Sequence, residues 1–546
     1  MENQLNHIFI RNSDQINNHV LIEFEYSFEN SSSLYYSFLR PISESLEVLF
    51  NKMISKLYFS SNKRKNKKIK TEIPIDYCEI FALDIKNQNK ICISDLTIND
   101  LLISNILIKI NEVIYQIYFK PPWIKTCKLP KITMVNIPIT PILDLENVNE
   151  SELSINWYVS KCSSSDDWIK CHTGTIFIPS ENYLNFFIKL QVNSTLTNKN
   201  QNFQLISTSP IQQYPQMEYQ KLNLFNPILS DKTFRICSYN ILSHIYAETD
   251  KAKSVLYRHC NPEFLTRDYR QCLIFGELLQ HKSDIIFLQE VDQSFYQKSL
   301  YPILQSYNYE GIFQKKSRTN WEGQAIFWNI NKFKLIDNIS IPSLSKVINE
   351  ENSEVYKKIK RFLRDTNLYN KWQSTGQCMT GCVLETVSLA DRKRLMLCNN
   401  HLICDPKLEI FRLFQLAVGI LQLEQIKYQY GEVCCVIGGD FNASFDAELM
   451  RFILDKSVEC SLVNNAIKLN HSLGDFYSVF KDKIEFTNFT PDYVGVLDHI
   501  VIDCSGLEVK HLYDVPNRLD IAKNISLPNE FHPSDHLPLL CDISFK

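Results

Sequence analysis

A carboxylate and a carboxamide follow one short apolar segment of this 546-residue chain. Residues 433–437 form a β-branched run that is typical of a buried strand, two glycines come next, and Asp440 and Asn442 follow them. An Asx turn that closes the strand would explain the pair without any chemistry. The alternative is a functional pair at the carboxyl end of a strand, where sheet proteins place reactive groups.

Further strand-like segments in the second half of the chain carry comparable residues at their ends. Each residue alone is explained by a turn or a strand end, but their joint occurrence at so many strand ends favours one common site. The candidate side chains at these ends, besides Asp440 and Asn442, are Asn240, Glu290, His401, Asp498, Asp535 and His536.

The residue types define the chemistry. Asn240, Glu290 and Asp535 would offer hard oxygen ligands without a cysteine among them, which favours Mg²⁺ or Mn²⁺ over zinc. In-line attack on a phosphodiester needs charge neutralisation at the phosphate, an activated water and a stabilised leaving oxygen. A metal ion, Asp440 with Asn442, and a histidine oriented by an aspartate can meet these three needs.

Alternating strands and helices from residue 231 onward must position these groups. Residues 235–239, 284–289 and 395–399 have the composition of strands, while residues 267–281 and the apolar stripe that begins at Ile410 predict helices. This pattern predicts an α/β domain in which helices cover sheets.

The first half of the chain has a different organisation. An alternating segment followed by an amphipathic helix predicts an α+β unit over residues 1–125, and short β-rich segments predict a small β-sandwich-like domain over residues 126–206. Residues 207–230 are rich in Ser, Gln, Pro and Asn and are interpreted as a linker to the domain of residues 231–546.

Composition limits the classes of protein. A net charge of −3 means that any affinity for RNA must come from a local basic surface. The seventeen cysteines show no Cys-x-x-Cys spacing, so reduced thiols are expected. No apolar run has the length of a membrane span, and the N-terminal residues do not resemble a signal or transit peptide. A cytosolic location is favoured.

The motifs resemble those of the endonuclease/exonuclease/phosphatase superfamily over residues 231–546. The resemblance rests on the order of Asn240, Leu288-Gln289-Glu290, Asn399-Asn400-His401, Gly439-Asp440-Phe441-Asn442, Leu497-Asp498-His499-Ile500 and Ser534-Asp535-His536. Segments such as Asp268-Tyr269-Arg270 are similar to the deadenylase branch. A similarity to 2′,5′-phosphodiesterases, which degrade 2′,5′-oligoadenylate and poly(A), rests on Ala247-Glu248-Thr249, Val255-Leu256-Tyr257 and Glu290-Val291-Asp292.

The resemblance implies a four-layered α/β sandwich with two packed sheets, a metal-dependent activity and specific residue roles. Glu290 would be the principal Mg²⁺ ligand, with Asn240 nearby and Asp535 binding or approaching the metal. Asp440 and Asn442 would handle the attacking water and the phosphate. Asp498 would orient His536, and His401 would contact the phosphate.

The implied activity is 3′-to-5′ hydrolysis of oligo- or polyadenylate to 5′-AMP. Alternatives are a phosphatase or phosphodiesterase for inositol phosphates or other small molecules, and a catalytically silent scaffold that binds RNA or protein. Relatives of this type include mitochondrial proteins, which keeps that compartment open. Three positions depart from the family pattern, namely His244, Asn400 and the pair Phe327-Trp328.

Overall fold

A computed structural model of the chain describes most of its length. The described residues are 6–12, 16–27, 34–64, 78–86, 88–103, 106–121, 123–194, 202–215, 231–317, 321–350, 353–388, 391–462 and 465–546. The chain divides into two compact units, one of residues 1–127, 143–155 and 191–204, and the other of residues 128–142, 156–190 and 205–546. Residues 216–230, most of the expected linker, lie outside the description, and the domain limits given above stay a prediction.

The N-terminal part contains a six-stranded sheet with the order β3-β2-β1-β6-β5-β4. Its strands are β1 (Asn6–Asn12), β2 (His19–Tyr26), β3 (Leu34–Pro41), β4 (Ile80–Asp84), β5 (Ile106–Ile110) and β6 (Val113–Phe119). Helix α1 (Leu46–Arg64) and helix α2 (Ile98–Ile103) pack on one face of this sheet. Leu46, Leu49 and Met53 lie on one side of α1 and are fully buried, as the helical spacing of these apolar residues predicts.

The β-rich region that follows contains a pair of strands and a four-stranded sheet. The pair is β7 (Trp123–Lys128) and β8 (Ile142–Glu146), and the sheet is β9 (Leu153–Ser160), β10 (Ile169–Thr173), β11 (Phe187–Ser194) and β12 (Asn202–Ile206). The strand order in this sheet is β10-β9-β11-β12. Alternating residues of β9 and β11, including Trp157 and Leu190, are buried.

Residues 233–545 contain two further six-stranded sheets. The first sheet has the order β15-β16-β14-β13-β28-β27 and the second has the order β17-β18-β19-β20-β26-β23. Their strands are β13 (Thr233–Asn240), β14 (Ile285–Asp292), β15 (Tyr309–Lys315), β16 (Glu322–Asn329), β17 (Phe333–Asn338), β18 (Met379–Thr386), β19 (Arg394–His401), β20 (Cys434–Asp440), β23 (Phe476–Ser478), β26 (Asp498–Asp503), β27 (Leu507–Leu512) and β28 (Leu539–Phe545). Two small hairpins consist of β21 (Ser457–Leu462) with β22 (Asn465–Asn470) and of β24 (Asn488–Phe489) with β25 (Val494–Gly495).

Helices connect many of these strands, and the longer ones cover the outer faces of the two sheets. They are α3 (His244–Ala247), α4 (Arg267–His281), α5 (Gln293–Phe295), α6 (Tyr301–Ser306), α7 (Leu344–Glu350), α8 (Glu354–Asp365), α9 (Tyr369–Gln373), α10 (Glu409–Lys427), α11 (Glu448–Asp455) and α12 (Arg518–Ala522). Helix α4 begins and ends at the residues that the sequence pattern predicts.

Three apolar layers hold this domain together. The inner faces of the sheets meet in one core, in which Phe287 of the first sheet and Leu397 of the second are fully buried. A second core joins the first sheet to α4, and a third joins the second sheet to α10 and its neighbours. Because strands buried on both faces need apolar residues on both sides, β14 and β20 begin with the continuous apolar runs 285–288 and 434–437. The predicted four-layered α/β sandwich with two packed sheets is confirmed.

All seventeen cysteines are free thiols. Among the described residues, no helix combines the length and the apolar character that crossing a membrane requires.

Candidate active site

Strand direction brings the candidate residues to one edge of the double sheet. Strands β13 and β14 run parallel to each other, as do β19 and β20, so the carboxyl ends of each pair lie side by side. Asn240, His401 and Asp440 are the last residues of β13, β19 and β20. Strand β26 runs antiparallel to β20 and begins with Asp498 opposite Asp440, which places its first residue at the same edge.

Glu290 lies at a bulge and not at a strand end. The expected strand of residues 284–289 continues to Asp292, and its pairing with β16 shifts register between Leu288 and Val291. Glu290 has a φ of 56°, in the left-handed region that is strained for a residue with a Cβ. A bulge changes the direction in which a side chain points, and here it separates Glu290 from the alternation of the surrounding strand.

Asn240 connects the two sheets. Its Nδ2 atom donates to Oε1 of Glu290 at 3.2 Å and to Oδ2 of Asp440 at 3.0 Å, while its Oδ1 atom accepts from the backbone N–H of Leu242. Glu290 also accepts from the N–H of Ser243 at 3.1 Å. The Asn240 amide therefore fixes two carboxylates from different sheets beside each other.

Asp440 and Asn442 form the Asx turn that would explain the pair without any chemistry. Both residues also lie at the site. The N–H of Asn442 donates to Oδ1 of Asp440 at 2.8 Å, which is an Asx turn, and Nδ2 of Asn442 donates to the carbonyl of Leu402. Burial raises the pKa of Asp440, and the charge of Asp498 adds to this effect, although nearby His536 opposes it. A raised pKa makes this carboxylate a better proton acceptor than an exposed aspartate.

His536 forms an ion pair across the sheets. Its Nδ1 lies 2.7 Å from Oδ2 of Asp498, and its Nε2 lies 3.8 Å from Oδ2 of Asp440. Burial alone would lower the pKa of His536, but the charges of Asp498 and Asp440 outweigh that effect and raise its pKa well above the usual value. The imidazole is therefore charged at neutral pH, and its Nε2 is a donor that faces the site.

His401 differs from His536 in its protonation state. Its Nε2 lies 3.6 Å from Asp440 and 4.0 Å from Glu290. Burial lowers the pKa of His401 well below the usual value, and the charges of Lys316 and His536 lower it further. This histidine is therefore neutral at pH 7.

Asp535 accepts a hydrogen bond from a tyrosine, and its charge acts on Glu290. Oδ2 of Asp535 accepts from the hydroxyl of Tyr257 at 2.9 Å. Burial raises the pKa of Glu290, and the charges of Glu322 and Asp535 raise it further. All eight residues that the sequence indicates are thus gathered at one edge, and their individual roles stay predictions.

Two further charged residues belong to this cluster and were not identified from the sequence. Nζ of Lys316 lies 3.0 Å from Oε1 of Glu322, and Glu322 also accepts from the hydroxyl of Tyr246. Burial would lower the pKa of Lys316, but Glu322 and Glu290 raise it above the usual value. Lys316 follows β15 directly and lies among ordinary polar residues. No pattern in the sequence therefore distinguishes it from other surface lysines.

A buried pair of amide side chains and a buried arginine hold the backbone segments that carry the site residues. Nε2 of Gln289 donates to Oδ1 of Asn399 at 2.7 Å, and Asn399 in turn donates to two carbonyls of the first sheet. Arg270 donates to the carbonyls of Ile241 and Pro533, each at 2.6 Å. These contacts tie the segment after Asn240 to the segment before Asp535.

The unusual residue His244 fits this support layer. Its N–H donates to Asp292 at 2.8 Å, and its Nδ1 lies 3.0 Å from the guanidinium of Arg270. Because that guanidinium carries only donors, His244 Nδ1 must accept, which requires the neutral imidazole. Burial and the charges of Arg270 and Arg267 lower the pKa of His244 well below its usual value, in agreement with this geometry.

The donor set of the site suits a hard divalent cation. Five carboxylates face Lys316 and the charged His536, so negative charge is in excess, and such an excess in a buried site favours a bound cation. The carboxylates are Glu290, Glu322, Asp440, Asp498 and Asp535. Potential ligand atoms of Asp440, Asp498 and His536 lie within 4.8 Å of one another. The charged imidazole of His536 cannot bind a metal, however. The carboxylates near Glu290 therefore fit the cation better than the group that contains His536.

A cavity of about 500 Å³ opens beside Asn442. Its lining includes Pro406, Arg412 and Tyr493, and the side chain of Tyr493 is 46% exposed. Arg412 is buried and donates to the carbonyls of Ile403 and Asp405, while its Nε atom has no hydrogen-bond partner among the described residues. The cavity offers an aromatic ring, a proline, the cation of Arg412 and the carboxylate of Glu409 next to Asn442.

Comparison with known proteins shows a family to which most of the second half of the chain is similar in sequence. Residues 237–536 match the sequence profile of the Endonuclease/Exonuclease/phosphatase family. The human protein 2′,5′-phosphodiesterase 12 is 27% identical over 473 residues, which are 81% of this chain and 76% of the human protein. The CCR4-Not complex 3′-5′-exoribonuclease subunit Ccr4 of Kluyveromyces lactis is 27% identical over 359 residues, or 60% of this chain and 43% of that protein.

One of the solved structures that this chain resembles is the crystal structure of ANGEL2, a 2′,3′-cyclic phosphatase. It has a TM-score of 0.47 and 22% identity, and the match covers 57% of this chain and 95% of that one. The family profile spans more than half of the 546 residues and ends on His536 itself. The chain is therefore a hydrolytic enzyme, and it belongs to the endonuclease/exonuclease/phosphatase family.

Proposed function

We propose that this enzyme is a divalent-metal-dependent 3′-to-5′ exoribonuclease that hydrolyses oligo- or polyadenylate and releases 5′-AMP. The observation that carries the proposal is the joint placement of Asn240, Glu290, Asp440, His401 and His536 at one edge, next to the cavity beside Asn442. The similarity to proteins named as a 2′,5′-phosphodiesterase and a 3′-5′-exoribonuclease supports phosphodiester hydrolysis as the reaction.

Glu290 would hold the cation, with Asn240 and Asp535 beside it. Mg²⁺ is the best match to these oxygen donors, and Mn²⁺ is an acceptable substitute. When bound, the cation would neutralise charge on the phosphate. The Asn240 amide donates to both carboxylates, so it would position the ligands of the cation.

The other residues would move protons and hold the phosphate. Asp440 would accept a proton as a water oxygen attacks phosphorus, with Asn442 orienting the phosphate. The bond from phosphorus to the ribose oxygen of the upstream nucleotide then breaks. The charged His536, oriented by Asp498, would donate a proton to that leaving oxygen, and neutral His401 would donate a hydrogen bond to the phosphate.

The cavity beside Asn442 would hold the terminal base. Tyr493 and Pro406 offer faces on which a planar base can stack, a contact that is worth about 1–3 kcal/mol per base. Stacking alone does not select adenine, so the preference for adenine rests on the resemblance of segments such as Asp268-Tyr269-Arg270 to the deadenylase branch. A 2′,5′ bond and a 3′,5′ bond present the same phosphate, and both remain within the proposal.

Product analysis tests this proposal directly. The purified chain with Mg²⁺ is incubated with matched 2′,5′- and 3′,5′-linked oligoadenylates, with oligouridylate as a control for base preference. We expect 5′-AMP from at least one oligoadenylate and its loss in Glu290→Ala and His536→Ala. Turnover of inositol phosphates without any release of AMP would overturn the proposal, as would equal rates in wild type and Glu290→Ala.

A further inference from the structure

Helix α8 presents a strongly basic face to solvent. Tyr356, Ile359, Phe362 and Leu363 are buried on its inner side. Six residues of the helix are exposed, namely the cationic Lys357, Lys358, Arg361 and Arg364 and the terminal acids Glu354 and Asp365. Within this helix, all of which the structure describes, Lys357 alone pairs with an acid, Glu354, at 2.8 Å.

A basic helix face is often no more than a solvated surface. This one, however, is connected to the cavity beside Asn442 by a chain of contacts. The cations of Lys360 and Arg364 lie 5.9 Å and 5.1 Å from the ring centre of Tyr369, the first residue of α9. Two residues further, Nζ of Lys371 lies 3.7 Å from Oδ2 of Asp405, and the next residue, Pro406, lines the cavity.

The core beneath this surface joins the helices that carry it. The ring of Trp372 in α9 lies 5.5 Å from that of Phe411 in α10, and the ring of Phe362 in α8 lies 5.5 Å from that of Phe414. Arg412, between Phe411 and Phe414, lines the cavity. The basic face, Tyr369 and the cavity are therefore carried by helices packed against one another.

We infer that the exposed face of α8 binds the upstream phosphates of a single-stranded nucleic acid whose 3′ end occupies the active site. The inference rests on the proposed function. A polyanion is the partner that this surface fits, because the chain has a net charge of −3 and offers here a row of cations beside an aromatic ring. A helix of 12 residues is about 18 Å long, so this row serves substrates longer than the terminal nucleotides.

The test compares two variants that each remove four positive charges. In the first, Lys357, Lys358, Arg361 and Arg364 are replaced by Gln. In the matched control, four exposed lysines on other elements, Lys161, Lys170, Lys282 and Lys510, are replaced by Gln. Binding of a fluorescent 20-nucleotide oligoadenylate is measured by anisotropy in chelator at several salt concentrations, and hydrolysis of the 20-mer and of a trimer is measured with Mg²⁺.

We expect the α8 variant to bind the 20-mer at least about 10-fold more weakly than wild type. The negative slope of log affinity against log salt should become less steep by about 0.7 for each phosphate that the variant no longer neutralises. Hydrolysis of the trimer and the thermal midpoint should stay within the range of the control variant, whose affinity for the 20-mer should change little.

Equal binding of the 20-mer by both variants would overturn the inference, because general charge would then explain the effect. Binding of polyglutamate, as an example of an acidic polypeptide, is measured in the same way. Its loss in the α8 variant, with unchanged binding of the 20-mer, would also overturn the inference and would identify the face as a site for acidic protein. Failure of the proposed function looks different, since wild type would then release no AMP from either substrate.

Discussion

Nδ1 of His536 lies 2.7 Å from Oδ2 of Asp498, although Asp498 begins a strand of the second sheet and His536 precedes a strand of the first. This contact keeps the imidazole charged in a buried site, where burial would otherwise deprotonate it. The packing of two sheets therefore sets the protonation state of the group that we propose as the proton donor.

Replacement of Asp498 by Asn should lower the pKa of His536, because it removes the negative charge that stabilises the imidazolium. Loss of the charged donor at neutral pH should reduce kcat by about 100-fold to 10,000-fold, the usual contribution of a positioned acid or base. The pKa can be measured by NMR titration of the imidazole in both proteins. An unchanged pKa in the variant would contradict this assignment.

Replacement of Lys316 by Met should destabilise the protein in the presence of a chelator. The change leaves Glu322 buried without its cation, and breaking a buried pair in this way costs about 3–5 kcal/mol. A second replacement, Glu322→Gln, should restore much of the free energy of unfolding without restoring activity. Urea unfolding measures these differences, and Lys315→Met provides the control on the neighbouring residue.

Mg²⁺ should stabilise the folded protein, because Glu290, Glu322 and Asp535 oppose one another electrostatically in its absence. A free concentration of 100 times the Kd should add about 2.7 kcal/mol to the free energy of unfolding. The thermal midpoint of wild type should rise accordingly, while Glu290→Gln should show little response. A control replacement at exposed Glu459 should respond like wild type, and an equal response of Glu290→Gln would exclude Glu290 as a ligand.

Stability should decrease between pH 6.5 and pH 4 in part because of His499. This residue is buried between Phe441 and Phe445, and burial lowers its pKa from 6.5 to about 4. The unfolded chain takes up a proton below pH 6.5 whereas the folded protein does not until about pH 4, so acid favours unfolding.

The effect of His499 amounts to about 3 kcal/mol, since one pKa unit is equivalent to about 1.4 kcal/mol. His499→Gln can still donate a hydrogen bond to the carbonyl of Ala443 and should show a correspondingly weaker loss of stability. Urea unfolding of both proteins at pH 7, 5.5 and 4.5 measures the difference, and parallel pH curves would contradict the prediction.

The sequence predicted the candidate residues because most of them follow short apolar runs. Asn240, His401 and Asp440 each end a strand, and for such residues an apolar pattern indicates both the element and its end. Glu290 was assigned to a strand end, but it lies at a bulge whose register depends on the facing strand β16, which no local pattern contains.

Long-range packing also explains why the sequence does not indicate Lys316 and Glu322. Lys316 and Glu322 acquire their importance only because β15 and β16 bring them next to Glu290. The amide pair of Gln289 and Asn399 joins residues 110 positions apart, on different sheets. Local propensity carries no information about such partners.

Strand β28 has a consequence for synthesis of the protein. It pairs with β13, the first strand of the domain, on one side and with β27 on the other. A nascent chain that has not yet exposed residues 534–545 lacks His536 and leaves a gap in the middle of its first sheet. The candidate active site is therefore complete only after this segment has emerged from the ribosome and has inserted between β13 and β27.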